Sequence, residues 1–424
     1  MRGGRRSPRP SLRLLLTRLR RRIEMRDSIL VVNAGSSSIK FKLYRIEGAD
    51  LAPSLSGGMS GIGSTPSLKV TDGSGALLED RRLEAGEVPD ASAAQHHLAD
   101  WLVHHLGDTT VVAVGHRVVH GGADFAEPVL IDDAVLRRLE TFIPLAPLHQ
   151  LGNLDPIRVL RQRRPDLPQV ACFDTSFHRG HPELSDRFAL PRFLHDEGVR
   201  RYGFHGLSYE YVAGRLTEIA PETADGRVVI AHLGSGASLC ALKDGRSQET
   251  TMSFTALDGV PMGTRCGALD PGVVLHLIEH RGMTPAEVGH MLYYESGLLG
   301  LSGISNDVRT LLASDRPEAA LAVAFFCRRV AQAAAALAVT LGGLDAFVFT
   351  AGIGENAPEI RRRIIADLSW AGLILSNDAN GSGVARLDAS GSRAQIWVIP
   401  TDEELMIAKH TMRLLDRIAS GARA

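Results

Sequence analysis

Residues 33–38, Asn-Ala-Gly-Ser-Ser-Ser, form a turn whose groups could hold the oxygens of a phosphate. The apolar run 29–32 before the turn is long enough for a buried strand and too short for a helix, and the alternating residues after it indicate a second strand. Such a turn points backbone N–H groups and the hydroxyls of Ser36 and Ser38 at one small volume, and Lys40 adds a positive charge. The spacing of a Walker P-loop is missing, and an ordinary serine-rich hairpin turn is the alternative interpretation.

The same plan recurs in residues 229–242, where an apolar strand, a glycine-serine turn and another apolar strand follow one another. Three pairs of residues coincide when the two stretches are aligned: Asn33 with His232, Gly35 with Gly234, and Ser36 with Ser235. Two such hairpins indicate a duplicated fold that holds one ligand between its halves, with chance similarity as the alternative. The arrangement resembles the superfamily of actin, the sugar kinases and the heat-shock chaperones, in which paired hairpins clasp the phosphates of ATP.

Charge and cysteine content narrow the class of protein. Nine of the 47 Lys and Arg residues lie in the first 22 residues, which leaves 38 basic against 48 acidic residues in the rest of the chain. This acidic body argues against nucleic acid as a partner. The sequence has no run of about 20 apolar residues, so no membrane span is expected. The four cysteines form no C-x-x-C pair, which favours neither zinc nor disulfides and fits a reducing cytoplasm.

Residues 1–24 are predicted to lie outside the folded protein. The segment is rich in arginine, and its longest apolar run, 14–16, is too short for a secretory signal. It is interpreted as a disordered basic leader or as the result of a misassigned start, with translation beginning at Met25. A transit peptide is the third alternative.

The remaining candidate side chains follow predicted strands or lie in glycine-rich loops of an α/β chain, where such proteins bind ligands. Strands 110–114, 169–173 and 345–349 are followed respectively by the string 115–122, by Asp174, and by a glycine turn, 350–356, that leads into a helix at Pro358. That last turn is a third predicted anion site. Other expectations are short strands in 48–90, a glycine turn at 296–303, and a C-terminal helix capped by Thr401.

Nine motifs together resemble acetate kinase. They are Asn33-Ala-Gly-Ser-Ser-Ser, His116-Arg-Val-Val-His-Gly-Gly, Phe173-Asp-Thr-Ser-Phe-His, Tyr202-Gly-Phe-His-Gly, His232-Leu-Gly, Met262-Gly-Thr-Arg, Ser296-Gly-Leu-Leu-Gly, Phe349-Thr-Ala-Gly-Ile-Gly-Glu-Asn and Glu403-Glu-Leu-Met-Ile-Ala. The resemblance implies an α/β fold of two actin-like (ribonuclease H-like) domains with a nucleotide cleft between them. The expected domains are 25–176 with 403–424, and 177–402. It also implies ATP:acetate phosphotransferase activity and a homodimer.

The resemblance also implies roles for individual residues in acetate + ATP ⇌ acetyl phosphate + ADP. Arg117 would bind the acetate carboxylate, Arg265 would stabilise the phosphoryl group in flight, and His205 would hydrogen-bond one of its oxygens. Asp174 matches the family's essential acidic residue, and we expect it to orient Arg117 or metal-bound water, because an ionised substrate needs no general base. Asn33 and Glu403 would hold the metal, which is Mg²⁺ with Mn²⁺ as the alternative. Glu404 could substitute for Glu403.

The other implied contacts concern ATP and the acetate methyl group. The residues expected to bind ATP are Ser36, Ser38, Lys40, His232, Leu233, Gly234, Ser235, Gly236, Asp307, Val308, Arg309, Gly352, Ile353, Gly354, Glu355 and Asn356. The expected methyl pocket is formed by Val119, Leu148, Phe204 and Ala256. Ala256 stands where the family usually has proline, which predicts better use of propionate. Ser235, Val308 and Asp402 also depart from the usual pattern, and they bear on ATP affinity.

Two alternatives to acetate kinase stay open at this point. One is a kinase of propionate or another short-chain carboxylate on the same scaffold. The other is a non-catalytic, actin-like ATP-binding protein. It would need the two hairpins but not the four polar residues expected at the reacting groups, which are Arg117, Asp174, His205 and Arg265. Their joint presence favours an enzyme.

Overall fold

The computed structural model describes residues 27–35, 38–146 and 149–421. Predictions for residues 1–24, Ser36 and Leu148 therefore lie outside the described residues. The chain divides into two compact units. The first contains the described residues up to Gly121, then Glu127–Phe173, and the described residues from Glu403 onwards; the second contains Gly122–Ala126 and Asp174–Asp402. The predicted domain limits stay predictions.

The first unit is built on an eight-stranded sheet. Its strands are β1 (Asp27–Ala34), β2 (Ser38–Glu47), β3 (Asp50–Ser60), β4 (Ser67–Asp72), β5 (Leu77–Arg82), β6 (Thr110–Val118), β7 (Val129–Leu130) and β8 (Gln169–Phe173). The order is β5-β4-β3-β2-β1-β6-β8-β7, with β1 antiparallel to β2 and parallel to β6. Its helices are α1 (Ala91–His105), α2 (Asp133–Glu140), α3 (Gln150–Arg163) and, from the C-terminus, α16 (Glu403–Ala419).

Apolar side chains of this sheet and of α1 form one core. Leu98 and Trp101 of α1 are buried in the same cluster as Phe41, Leu43 and Met59 of the sheet. The alternating pattern of β2 therefore places its apolar residues against the helix.

The second unit repeats the central strand order of the first. Its strands are β9 (Arg227–Leu233), β10 (Ala237–Lys243), β11 (Arg246–Thr250), β12 (Ala346–Thr350) and β13 (Gln395–Val398), in the order β11-β10-β9-β12-β13. As in β3-β2-β1-β6-β8, an antiparallel hairpin precedes two parallel strands. The duplication that the two hairpins predict is present in the topology.

Helices make up most of the rest of the second unit. They are α4 (Glu183–Asp186), α5 (Arg192–Asp196), α6 (Gly206–Ile219), α7 (Pro221–Ala224), α8 (Pro271–Glu279), α9 (Pro285–Tyr294), α10 (Gly297–Ser302), α11 (Val308–Leu312), α12 (Pro317–Leu341), α13 (Ala351–Asn356), α14 (Pro358–Asp367) and α15 (Asn377–Ser382). Short 3₁₀ turns lie at Ile143–Leu145, Ser176–His178 and Ser369–Ala371.

The long helix α12 packs on β10 and against α10 and α14. Its buried residues include Ala322, Phe326 and Val330, at helical spacing on one face. Within the part of the chain that the structure describes, it is the one helix long and apolar enough to cross a membrane. In its most apolar segment of 18 residues, 44% is buried inside the protein. Its apolar composition is that of a helix in a protein core.

Three local predictions are wrong. Residues 296–303 and 350–356, predicted as glycine turns, contain the helices α10 and α13. The stretch 48–90 contains the predicted short strands, β4 and β5, and also the longer β3, whose pairing with β2 and β4 overrides the unfavourable propensity of Pro53 and two glycines. The C-terminal helix begins at Glu403, so Thr401 lies one position too early to be its N-cap.

Candidate active site

Three candidate residues of the first unit converge at the carboxyl end of its sheet. Strand β6 continues to Val118, four residues beyond the prediction, because Arg117 and Val118 pair in register with β8. Nη1 of Arg117 donates to Oδ1 of Asn33 at 3.2 Å. Nε of Arg117 lies 3.8 Å from Oε2 of Glu403, the first residue of α16. A guanidinium, an amide and a carboxylate therefore share one site.

The two neighbouring glutamates of α16 point to different partners. Oε2 of Glu404 lies 3.6 Å from Nζ of Lys42 on β2, whereas Glu403 lies beside Arg117. The geometry therefore favours Glu403 as the partner of Asn33. Their oxygens match the donors that Mg²⁺ prefers, and two protein ligands suit an ion that keeps several waters. No cluster of three or more His, Cys, Asp or Glu residues suited to a metal occurs among the described residues.

Two buried amides of α3 support the backbone of this site, and the sequence analysis missed both. Oδ1 of Asn153 accepts from the Val119 amide at 2.9 Å, and its Nδ2 donates to the carbonyl of Ala34. Gln150 brackets His120 by accepting from its amide and donating to its carbonyl. Buried amides that bond only to backbone fix the ends of β1 and β6 relative to each other.

In the second unit, His205 immediately precedes helix α6 and adopts a left-handed conformation with φ of 58°. Such a conformation is uncommon outside glycine and is often found at functional sites. The amide of Gly206, the first residue of α6, donates to the carbonyl of Asp174 at 2.8 Å. This bond places the backbones of Asp174, which is 1% exposed, and His205 side by side.

The second hairpin turn lies against His205 and Arg265. A Cβ atom added to Gly236 would lie 3.3 Å from Nε2 of His205 and 3.5 Å from Nη2 of Arg265. Because any side chain at this position would press against both groups, glycine lets the backbone of the turn lie this close to them. Nη1 of Arg265 donates to the carbonyl of Ala256 at 2.8 Å, which fixes the direction of the guanidinium.

The predicted third anion site adjoins this hairpin. Thr350 pairs in register with His232, so the ends of β9 and β12 lie next to each other, and helix α13 begins there. Ala351, its first residue, has φ of 64°, which is strained for a residue with a Cβ. The buried Thr350 Oγ1 has no hydrogen-bond partner among the described residues, which suits a site that a ligand completes.

A buried arginine that the sequence analysis missed holds the far end of α13. Nη1 of Arg361 donates to the carbonyls of Gly354 and Glu355, both at 2.8 Å, and its other nitrogens bond to Asn380. Burial lowers the pKa of this guanidinium. A cation at the C-terminal end of a short helix leaves the opposite end available to an anion.

The other predicted contact residues have local partners. Asp307 caps α11 and pairs with Arg309 at 2.6 Å, and the hydrogen bond from Arg309 is the main cause that lowers the pKa of Asp307. Glu355 Oε1 accepts from the Thr401 amide, and Asn356 closes α13 onto the carbonyl of Gly352.

The expected methyl-pocket residues are divided between the two units. Val119, buried, belongs to the first unit. Phe204, also buried, and Ala256 belong to the second. Between β1 and β2, Gly35 donates its amide to the carbonyl of Ser38, and Lys40 lies opposite Asn33 in the β1–β2 register.

His178 supports the loop that carries His205. It lies in the motif that begins at Phe173, but no role was predicted for it from the sequence. It is fully buried, with Nε2 at 3.0 Å from the carbonyl of Phe204 and Nδ1 at 2.8 Å from Oγ of Ser247. A Cβ on Gly203, whose φ is 82°, would lie 2.5 Å from the imidazole. Nε2 must carry a proton to donate to the carbonyl, and burial, which lowers the pKa of His178, keeps the ring neutral, so Ser247 donates to Nδ1.

Burial of His178 predicts a loss of stability in acid. Burial lowers its pKa from 6.5 to about 3. Below pH 6.5 the unfolded chain binds a proton that the folded chain does not, so the stabilisation is complete above that pH and is lost as pH falls towards 3. We expect the free energy of unfolding to fall by about 1 kcal/mol per pH unit from this residue.

The measurement is chemical denaturation of His178→Asn and of the unchanged protein between pH 7 and pH 5. The substitution is expected to flatten the pH dependence, whatever it does to stability at pH 7. His96→Asn, at an exposed position, is the control and should keep the full slope. Equal slopes in all three proteins would contradict the assignment.

Comparison with known proteins identifies relatives over nearly the whole chain. The profile of the acetokinase family matches residues 28–409. An acetate kinase from Nitrobacter hamburgensis is 56% identical over 399 residues, which cover 94% of this chain and 98% of the relative. An acetate kinase from Rhizobium meliloti is 54% identical, with 92% and 98% covered.

Solved structures agree with these sequences. A propionate kinase from Francisella tularensis has a TM-score of 0.84 and 38% identity, and the match covers 91% of this chain and 98% of that one. An acetate kinase from Porphyromonas gingivalis has a TM-score of 0.81 and 35% identity, with 92% and 100% covered.

With these relatives, the chain has an α/β fold of two actin-like domains and is a phosphotransferase whose acceptor is a carboxyl group. The chain belongs to the acetokinase family. The predicted family, fold class and enzyme class are confirmed. This family uses ATP and a divalent metal.

Proposed function

We propose that the chain is an acetate kinase, which transfers the γ-phosphoryl group of ATP reversibly to acetate and produces acetyl phosphate and ADP. The observation that carries this proposal is the approach of the His205 and Arg265 side chains to the glycine turn at Gly236. A carboxylate oxygen attacks the γ-phosphorus in line with the bond to the β–γ bridging oxygen, and that bond breaks. Acetate is ionised at neutral pH, so no general base is needed.

Each side chain has a role that its chemistry supports. Arg117 binds the carboxylate by the paired geometry of a guanidinium and a carboxylate. Arg265 neutralises charge on the oxygens of the moving phosphoryl group, and His205 donates a hydrogen bond to one of them. Asp174 is an orienting residue, not a proton donor.

The metal in this proposal is Mg²⁺, with Mn²⁺ as the alternative. Asn33 and Glu403 would hold it, and when bound it neutralises charge on the phosphate oxygens. Their side-chain oxygens lie beside one guanidinium in the first unit, and this oxygen-only set fits a hard cation.

Replacing each of the two α16 glutamates separately by glutamine tests the metal assignment. Glu403→Gln is expected to raise the Mg²⁺ concentration for half-maximal activity more than tenfold, because a charged ligand becomes neutral. Glu404→Gln is the matched control, since its carboxylate lies beside Lys42, and it should stay within about threefold of the unchanged enzyme. Titration of kcat with Mg²⁺ measures both, and the reverse ranking would contradict the assignment.

The residues proposed for ATP form two groups. In the first unit they are Ser36, Ser38 and Lys40. In the second they are the hairpin turn, residues 232–236, the cap of α11, residues 307–309, and the helix α13, residues 352–356. Support for the second group comes from the helix N-terminus and the adjoining glycine turn, which present N–H groups.

A hydroxamate assay tests the function directly. The purified chain with ATP, MgCl₂ and acetate should produce acyl hydroxamate after addition of hydroxylamine, in equal amount to ADP. Bound ATP without acyl hydroxamate would support the non-catalytic alternative and overturn the proposal.

Propionate kinase is the second candidate, which Ala256 and the similarity to the Francisella propionate kinase favour. Ala256→Pro is expected to lower the propionate/acetate ratio of kcat/KM about tenfold, because one methylene in an apolar pocket is worth ~1–3 kcal/mol. The carbonyl that accepts from Arg265 is retained in this variant. Rates with acetate, propionate and butyrate measure the ratio, and an unchanged ratio would remove Ala256 from the pocket.

A homodimer in the cytoplasm completes the proposal. Support comes from α8, which is apolar and has no buried residue among its nine. Its Val273 and Leu275 are 39% and 55% exposed, as expected of a surface that a second copy covers. Light scattering of the purified chain measures the mass.

A further inference from the structure

A chain of two hydrogen bonds runs from a buried phenol to His205. The hydroxyl of Tyr209 lies 2.5 Å from Oγ of Ser238, and Oγ of Ser238 lies 2.8 Å from Nδ1 of His205. Tyr209 and Ser238 are both 0% exposed. Each donor in this chain must therefore find its acceptor within the protein.

The phenol sets the direction of the chain. Burial raises the pKa of Tyr209 well above its usual value, so the hydroxyl keeps its proton. Within the part of the chain that the structure describes, that hydroxyl has no hydrogen-bond partner other than Ser238. A buried donor without an acceptor costs about 1–3 kcal/mol, so Tyr209 donates to Ser238.

The direction then passes through Ser238 to the imidazole. Its hydroxyl has one proton, and its two side-chain partners are Tyr209 and His205. Since Tyr209 donates to Ser238, that proton goes to Nδ1 of His205, which must accept it. A proton on Nδ1 would leave either the serine or the tyrosine hydroxyl without an acceptor.

We infer that Tyr209 acts through Ser238 to hold His205 in the neutral tautomer that carries its proton on Nε2. The ring of His232 stacks on that of His205 with centroids 4.1 Å apart, which holds the imidazole in place. Nε2 lies on the side of Gly236 and Arg265. The edge of the ring that faces Gly236 and Arg265 is thus a hydrogen-bond donor.

The consequence for catalysis rests on the proposed function, whereas the tautomer does not. A donor at Nε2 suits a phosphoryl oxygen, and the positive charge is left to Arg265. Tyr209 and Ser238 are positioning residues, since both act through His205.

The first test is spectroscopic and uses the full chain with ¹⁵N-labelled histidine. Two-bond ¹H–¹⁵N correlations distinguish a protonated ring nitrogen from an unprotonated one, and His205→Gln identifies the signals of His205. We expect Nδ1 to be unprotonated and Nε2 protonated at neutral pH. A proton on Nδ1 would overturn the inference, whether or not the chain forms acetyl phosphate.

The second test removes the phenol hydroxyl. In Tyr209→Phe we expect the His205 signals to shift towards the other tautomer, with kcat about tenfold lower, the value of one hydrogen bond, and both KM values within about threefold. Tyr294→Phe, at an exposed position, is the matched control. Ser238→Ala should show the same spectral shift, and unchanged His205 signals in both variants would overturn the inference.

Discussion

Arg265→Ala is expected to lower kcat about 10³-fold, because a guanidinium beside a transferred phosphoryl group is worth 10³–10⁵ in such reactions. The group lies beside the glycine turn, with its direction fixed by the carbonyl of Ala256. The KM for ATP should change much less, since the charge that Arg265 stabilises develops in the transition state. Initial rates at saturating ATP and acetate give both values.

Two further variants make this result interpretable. Arg265→Lys keeps the positive charge but loses the paired N–H donors of the guanidinium. Its kcat should therefore lie between those of Arg265→Ala and the unchanged enzyme. Arg316→Ala, which removes an exposed arginine paired with Glu318, should stay within about twofold. A folded Arg265→Ala enzyme with normal kcat would exclude the proposed role.

Arg117→Ala is expected to lower kcat/KM for acetate roughly 100-fold, the loss that follows from one charge-assisted pair. The substitution removes the cation that now lies between Asn33 and Glu403. The KM for ATP should be little affected, because in the proposal Arg117 binds the acetate carboxylate and not the nucleotide.

Specificity for the acceptor distinguishes this loss from general damage. The residual ATPase activity of Arg117→Ala, measured without acetate, should equal that of the unchanged protein. Lys42→Ala, on the neighbouring strand beside Glu404, is the control for loss of a cation near α16. A rise in the KM for ATP equal to the rise for acetate would contradict the assignment to the carboxylate.

Elements with a strong periodic pattern were predictable from the sequence. Strand β8 was predicted with its observed limits, because a short and continuous apolar run is typical of a buried strand. The recurrence of the β1–β2 hairpin as β9–β10 predicted the shared strand order, since the turn residues repeat in the same positions.

Tertiary pairing decided the elements that were missed. The glycine-rich segment 350–356 is helical because helix α13 begins at Ala351, directly after β12. Arg361, seven residues after Gly354, then donates to the carbonyl of Gly354 near the end of this helix. The residues next to Gly354 in the sequence carry no signal of this contact with Arg361. The polar residues at the end of β6 form a strand because parallel pairing, with β1 up to His116 and with β8 up to Val118, satisfies their backbone groups.

Site residues with a motif were predictable, and their supporting residues were not. Arg117, His205 and Arg265 lie in recognisable motifs. Ser238 and Tyr209 look like ordinary members of an apolar strand and a helix, and only the fold shows that they reach His205. Glu403 and Glu404 could be separated only by the direction of each side chain.

The most direct measurement of the central claim is the stereochemical course at phosphorus. ATP that is chiral at the γ-phosphorus through three oxygen isotopes would be reacted with acetate, and the configuration of the acetyl phosphate determined. A single in-line transfer to the carboxylate predicts inversion of configuration. Retention, or failure to transfer the labelled phosphoryl group to acetate, would contradict it.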